Sequence, residues 1–109
     1  MSVKKLGIGV LAAASALAIP AYAAPGMTTP ALLSAVNARD VGFEFYIPNT
    51  SNPMGCGIPT TFRIAPSTSN YNAMVSTILT AFTTQKSLSV YVYGCDTDGV
   101  SLIAAARMQ

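Results

Sequence analysis

Hydrophobic and polar residues alternate regularly in the segment 41–47, where every second residue from Val41 to Ile47 is apolar. Glu44 and Tyr46 lie on the opposite face, and this period of two, rich in aromatic and β-branched residues, is typical of a half-buried strand. Similar apolar stretches predict four further strands. They cover residues 31–36, for which one helical turn is the alternative, and residues 60–64, 88–95 and 100–108.

The hydrophobic period changes to that of a helix between the third and fourth predicted strands. From Tyr71 to Phe82, apolar residues recur three and four positions apart, with Ile78 and Leu79 at the middle of the stripe. The other face carries Ser, Thr and Asn, and its β-branched residues give a low intrinsic helix propensity. We therefore expect packing against a sheet to hold this helix in place.

The two last strands are predicted to form a hairpin around the turn at residues 96–99. In the first of them Val90 and Val92 point to the core, which places Tyr91 and Tyr93 on the outer side. In the last strand, alternate residues from Val100 to Met108 are predicted to share one face.

The order of elements is thus β-β-β-α-β-β, which predicts a mainly β domain with one helix, an α+β fold. A five-stranded Greek-key barrel of the oligonucleotide/oligosaccharide-binding (OB) kind carries its helix between the third and fourth strands, as predicted here. The apolar stripe of the helix would close one end of the barrel. We expect one domain over residues 31–109, preceded by an irregular leader at 24–30 that holds two prolines and a glycine.

A family resemblance follows from the segment between Tyr71 and Cys95. Its helix stripe, YxxMVxxIL, is followed by the turn QKS and the strand LSVYVYGC. This arrangement resembles the receptor-binding B subunits of bacterial toxins with five-membered B rings, most of all the subtilase-cytotoxin and pertussis-like branch. The resemblance implies a ring of identical subunits, a glycan receptor and a toxin-like catalytic partner; it transfers no sugar-binding residue to this chain.

The N-terminus has the organisation of a secretory signal peptide. Lys4 and Lys5 precede an uncharged stretch, residues 6–19, and the small-x-small pattern ending at Ala23 suits a signal peptidase. The stretch is shorter than the roughly 20 residues that a membrane-spanning helix needs. We expect residues 1–23 to be removed and the protein to be periplasmic or secreted, with an uncleaved anchor as the alternative.

Charge changes the picture once the signal is removed. The full chain has six Lys and Arg against four Asp and Glu, and loss of Lys4 and Lys5 leaves a balance of zero. A neutral domain with scattered charges has no electrostatic footprint for nucleic acid or anionic lipid. Few charges also suit a surface that is partly buried in an oligomer, as well as a neutral surface rich in hydroxyl groups.

Two cysteines, Cys56 and Cys95, predict a structural disulfide, because an exported chain folds in an oxidising compartment. In the chain-entropy model, closing a loop of this size stabilises the fold by about 4 kcal/mol. An intermolecular bridge and two free thiols are the alternatives.

Candidate catalytic chemistry is sparse. The chain has no His, which removes the usual general base and the commonest zinc ligand. Asp96 and Asp98 begin like a calcium loop, but no ligands follow at the required spacing, so a plain turn is favoured. Glu44 is interpreted as a solvated residue of a strand. We expect no enzyme, no metal and no cofactor.

The candidate binding residues are Tyr46, Tyr91 and Tyr93, predicted to point away from the core. Exposed aromatic rings suit stacking on a sugar and equally suit burial between subunits, and packing on a strongly curved barrel is the third reading. The sequence thus favours an exported, non-enzymatic binding module, with a small structural or accessory protein without a ligand as the alternative.

Overall fold

The computed structural model describes residues 23–109, so the signal peptide predicted for residues 1–23 lies outside the described residues except for Ala23. The described part is mainly β with a single helix, which confirms the predicted class. Its elements, in chain order, are β1 (Gly26–Met27), β2 (Ala35–Arg39), β3 (Gly42–Tyr46), β4 (Ile58–Ile64), α1 (Tyr71–Thr84), β5 (Leu88–Cys95) and β6 (Val100–Met108).

The strands form one mixed sheet in the order β1-β5-β6-β4-β3-β2. β4 and β6 are parallel, and every other pair is antiparallel. From β2 onwards the element order is the predicted β-β-β-α-β-β. The sheet has six strands and two edges, so closure of five strands into a barrel stays a prediction.

The N-terminal segment forms both edges of this sheet. Residues 26–27 pair with β5, and Ala31 exchanges backbone hydrogen bonds with Leu88 at 3.1 and 2.8 Å. Strand β2 begins a few residues later, at Ala35, and pairs with β3. The sequence predicts that this strand begins four positions earlier, at residue 31. The segment predicted as an irregular leader therefore contains a short strand, and Thr28 is buried.

The core lies between the sheet and α1. Phe45 of β3 and Phe62 of β4 are fully buried and stack with their ring centres 5.5 Å apart. The remaining core side chains come from the loop before β2, from β3 to β6 and from α1. They are Leu33, Phe43, Ile47, Ile64, Met74, Ile78, Ala81, Leu88, Val90, Val92 and Ile103.

Helix α1 buries a narrower face than its stripe predicts. Met74, Ile78 and Ala81 are buried, whereas Leu79 is 39% exposed, so the prediction that Leu79 forms part of the plug is wrong. A residue one position after a buried one lies about 100° further round a helix, which takes Leu79 past the edge of the buried face. Four threonine hydroxyls donate to the backbone carbonyl four residues earlier, so the outer face satisfies its polar groups locally.

Two bulges interrupt the β5–β6 hairpin. Ala104 is an extra residue on β6 and Tyr93 is an extra residue on β5, and only the pair Val92 and Ile103 lies between them. As a result Ser101 and Ile103 are fully buried, whereas Leu102 and Ala104 of the predicted alternate set are not. Val100 and Ala106 of that set are buried and packed against the core, respectively. The bulge inverts the alternation, which a regular period of two cannot show.

The loop between β3 and β4 is fixed to the hairpin. The predicted disulfide Cys56–Cys95 is present, with the two Cα atoms 5.5 Å apart. Asn52 adds a second link, because its amide nitrogen donates to the Ser101 hydroxyl at 2.7 Å and to the Pro59 carbonyl at 3.0 Å. These links hold a loop rich in Pro and Gly against β6.

Candidate binding surface

Tyr91 lies on the side of β5 that faces away from the core. Its neighbours Val90 and Val92 are fully buried, whereas Tyr91 itself is half-buried. Met27 of β1 and Ala105 of β6 are its direct cross-strand partners, so the three side chains form one row across three strands. Ala105 is small and Met27 is 41% exposed, which leaves the row open to solvent.

Tyr93 extends this row towards the turn of the hairpin. As the extra residue of the bulge it has no direct partner on β6, and it is 43% exposed. The next residue, Gly94, has open space around it, since a Cβ at this position would meet no heavy atom within 4 Å apart from those of its chain neighbours Tyr93 and Cys95. We call Met27, Tyr91, Tyr93, Gly94 and Ala105 the tyrosine surface.

Tyr46 is not part of the tyrosine surface. It is half-buried at the end of β3, opposite Ala35 of β2 and Thr61 of β4. Two strands, β4 and β6, separate β3 from β5 in the sheet. The structure thus brings Tyr91 and Tyr93 onto the same three strands and leaves Tyr46 elsewhere.

A cluster of charged residues lies on the same side of the sheet, over β3 and β4. Arg63 and Glu44 face each other across these strands, and both side chains are only 3% exposed. One oxygen of Glu44, Oε2, accepts hydrogen bonds from Arg63 Nε at 2.9 Å, from Arg63 Nη2 at 2.5 Å and from Arg39 Nη1 at 3.1 Å. The interpretation of Glu44 as a solvated residue is therefore wrong.

The turn before β6 supplies the other half of this charge cluster. Arg63 Nη1 donates to Asp96 Oδ2 at 2.7 Å, and Arg63 Nη2 donates to Asp98 Oδ2 at 2.8 Å. The turn itself is closed by the Gly99 amide, which donates to the Asp96 carbonyl at 3.0 Å. Gly99 has a φ of 90°, a conformation that glycine adopts readily. The aspartates thus form the predicted turn, and their carboxylates bind an arginine.

The charge cluster shifts the ionisation of its members. The hydrogen bond that Arg63 donates to Asp98, joined by those it donates to Glu44 and Asp96, raises the pKa of Arg63 despite its burial. The hydrogen bond from Arg63, with a further one from the Val100 amide, lowers the pKa of Asp98 below its ordinary value of 3.8. The guanidinium is held charged and fully hydrogen-bonded, so it is not free to bind a ligand.

The sequence contains one signal that could have revealed this cluster. Glu44 and Arg63 each stand between two buried apolar residues, so each occupies the outer position of a strand that pairs with the other. Opposite charges placed directly across two neighbouring strands attract each other. Reading the register of the second and third predicted strands together would have paired them.

Within residues 23–109, no group of three or more His, Cys, Asp or Glu is arranged to hold a metal ion. The helix of the described residues is not long and apolar enough to cross a membrane.

Comparison with known proteins adds no relative. Protein-family models, curated proteins and solved structures all give no match to this chain.

Proposed function

We propose that this protein is an exported, non-enzymatic binding module that uses the tyrosine surface to recognise a glycan. The observation that carries the proposal is the exposure of Tyr93 beside the open space at Gly94. A sugar ring stacks on an aromatic face that no neighbouring side chain covers, and a tyrosine also offers a hydroxyl for hydrogen bonding. Ala105 and Gly94 supply this uncovered approach on either side.

The use of charge in the fold supports the same proposal. Five of the eight charged side chains in the described residues belong to the cluster around Arg63 and serve the fold. The tyrosine surface itself contains no ionisable group other than its phenols. Recognition through such a surface suits a neutral, hydroxyl-rich ligand.

The proposal includes an OB-like barrel. The sheet contains five successive strands in the order β2, β3, β4, β6 and β5. The N-terminal segment, residues 26–39, pairs with β5 through residues 26–31 and with β3 through residues 35–39. A first strand bent in this way would close the barrel. Protection of the Thr28, Ala31 and Leu88 amides from hydrogen exchange would support closure, and rapid exchange at all three would contradict it.

The proposal also includes export and assembly. Removal of the signal places the domain in the periplasm or outside the cell, and the mature N-terminus is expected at Ala24. A ring of identical subunits, and a toxin-like catalytic subunit as partner, fit the low charge of the surface. Half-burial of Tyr46 and Tyr91 favours the alternative, an accessory protein without a ligand.

Serine substitution at the two tyrosines distinguishes these functions. If the rings stack on a sugar, Tyr93→Ser and Tyr91→Ser should weaken glycan binding by about 1–3 kcal/mol, a range taken from base–aromatic stacking. Oligomeric mass and unfolding should remain those of the wild type. Tyr46→Ser is the matched control, since it removes a tyrosine outside the surface and should leave binding unchanged.

Two other outcomes would contradict glycan binding. A lower oligomeric mass with folded monomers would place the tyrosines between subunits. A wild-type protein that is monomeric, binds nothing on a glycan array and tolerates both substitutions would indicate the accessory protein. The measurements are a glycan array, the mass in solution and urea unfolding.

A further inference from the structure

One edge of β6 has no strand beside it. β4 pairs with β6 only as far as Leu102, whereas β6 continues to Met108. On its other side β6 pairs with β5 along this whole length. The C-terminal half of β6 therefore has one paired side and one open side.

The hydrogen-bond pattern shows which backbone groups face the open side. The Gln109 amide donates to the Ser87 carbonyl, so residues 109 and 107 are the ones that bond to β5. Ala106 and Met108 alternate with them and direct their N–H and C=O groups away from β5. Within the described chain these groups have no backbone or side-chain partner.

A groove runs between this edge and helix α1. It has a volume of about 240 Å³ and is lined by Ala73, Met74 and Thr77 of the helix and by Ala104, Ala105 and Ala106 of the strand, so that it shares Ala105 with the tyrosine surface. Asn70, at the start of the helix, lies at the groove and makes no capping hydrogen bond with its side chain. The groove is open to solvent, is lined mostly by apolar side chains together with Asn70 and Thr77, and is bordered by free backbone groups.

We propose that this groove binds an extended peptide segment of another protein, which adds a strand to the edge of β6. An apolar small molecule would leave the donors and acceptors of Ala106 and Met108 without partners, whereas a peptide backbone satisfies both kinds. Long unprotected strand edges are usually blocked by charge, by proline or by a covering segment. Here Arg107 is the single charge on the strand, and its side chain points to the outer side, because Ala106 faces the groove and successive residues of a strand alternate between the two faces.

Arg107 sets the charge of the occupant. It forms no ion pair within residues 23–109 and is exposed. A strand added at this edge places one outward residue directly opposite Arg107, where an acidic side chain is favoured. The occupant therefore carries small residues towards the groove and a carboxylate on its outer face.

A second copy of this chain does not supply such a strand. The whole sequence has four acidic side chains, and three of them, Glu44, Asp96 and Asp98, bind Arg63. The fourth, Asp40, lies in the tight turn where Arg39 pairs with Gly42. The complementary strand is thus expected from a different protein.

In the test, the mature protein with its disulfide intact is titrated with a panel of short synthetic peptides. In each peptide Ala, Ser or Thr alternates with outward residues, and the outward position carries Glu, or Lys in the matched peptide. Titration followed by ¹⁵N NMR should shift the Ala104, Ala106 and Met108 amides. The Glu peptides should bind about two- to fivefold more tightly than the Lys peptides.

Arg107→Glu sharpens the test, because it should reverse this preference without disturbing the fold. Lys86→Glu makes the same change of charge in the turn before β5 and should leave the preference unaltered. No shift at these amides with any peptide at millimolar concentration would overturn the proposal, and so would a preference that Arg107→Glu does not reverse. Protection of the same amides together with a doubled mass in the absence of peptide would assign the edge to a second copy and overturn it too.

The test is independent of the proposed glycan site. Arg107→Glu leaves Tyr91 and Tyr93 in place, and the tyrosine variants leave the β6 edge unchanged. Failure of peptide binding therefore says nothing against glycan binding, and the reverse is also true.

Discussion

The charge cluster over β3 and β4 and the tyrosine surface over β1, β5 and β6 occupy the same side of one sheet. In the first region Arg63 and Glu44 are covered by the turn that carries Asp96 and Asp98, and they are almost without solvent contact. In the second region Tyr93 stands free beside Gly94. Around Arg63 charge holds elements together, whereas the tyrosine surface contains no charged side chain.

This difference also concerns the energetics of the two regions. A buried arginine that loses its partners, or a buried carboxylate that loses its arginine, is left as an uncompensated charge in a poorly solvated position. An exposed tyrosine has no such dependence on its neighbours. Substitutions in the two regions should therefore separate cleanly into effects on folding and effects on binding.

The largest effect is expected from Arg63→Ala. It leaves Glu44 buried with only Arg39 as a partner, and breaking a buried pair on one side typically costs about 3–5 kcal/mol of unfolding free energy. Arg39→Ala is the control, because its side chain is 47% exposed and such pairs contribute about 0–1 kcal/mol. Urea unfolding measures both. Similar losses of unfolding free energy in the two variants would show that the burial of Glu44 does not determine the cost of removing its partner.

A companion variant tests the reason for this loss. Replacing both members of the pair, Arg63→Met with Glu44→Leu, removes the uncompensated charge and should recover much of the stability. If the double variant unfolds as easily as Arg63→Ala, the contribution of Arg63 comes from its contacts with the turn.

The second effect in size concerns the disulfide, which joins the loop before β4 to the strand that leads into the same turn. Cys56→Ala and Cys95→Ala should each lower the unfolding free energy by about 2–5 kcal/mol. Non-reducing mass spectrometry should show one Cys56–Cys95 peptide in the wild type. Two alkylatable thiols in the native protein would contradict the bridge.

The smallest effect is a dependence on pH. Because its pKa is lowered in the folded state, Asp98 contributes stability above its ordinary value of 3.8, and that contribution is lost as the pH falls through the lower folded-state value. Asp98→Asn should therefore be less stable than the wild type at neutral pH, and the difference should vanish in acid. Thermal unfolding from pH 7 to below pH 4 measures it. A difference that is constant over this range would exclude the ion pair as its cause.

Much of the fold follows from local patterns in the sequence. The alternation from Phe43 to Ile47, the centre of the helical stripe and the two cysteines each depend on short-range spacing or on a forced pairing, and the structure confirms them, whereas Val41, predicted on the same face as Phe43, is exposed. Ile78 lies at the centre of the buried helix face as predicted, and Leu79 does not, because a stripe defined by residue type is wider than the face that the sheet can cover.

The parts that could not be predicted depend on contacts between distant residues. Thr28 is buried because its backbone meets Val90, more than sixty positions later, and nothing near Thr28 indicates this. Glu44 is buried because Arg63 lies directly opposite it on β4. Judged by residue type alone, both side chains would be placed in solvent. The separation of Tyr46 from the other two tyrosines follows from strand order, which a single strand pattern does not contain.

The two bulges in the β5–β6 hairpin restrict how the chain can change in length. The pairs on one side of the bulges, from Leu88 with Met108 to Tyr91 with Ala105, share one register with the pairs on the other side, Gly94 with Leu102 and Cys95 with Ser101, because one extra residue on each strand cancels the other. Each bulge residue is the one that the ladder already leaves without a partner, so deleting Tyr93 or Ala104 lets the strands pair regularly and leaves the following side chains on their present faces. Deleting a paired residue such as Val92 or Ile103 instead shifts the register by one position and turns the side chains beyond it to the opposite face. Deletions in this hairpin should therefore be tolerated at the two bulges and not at the paired positions.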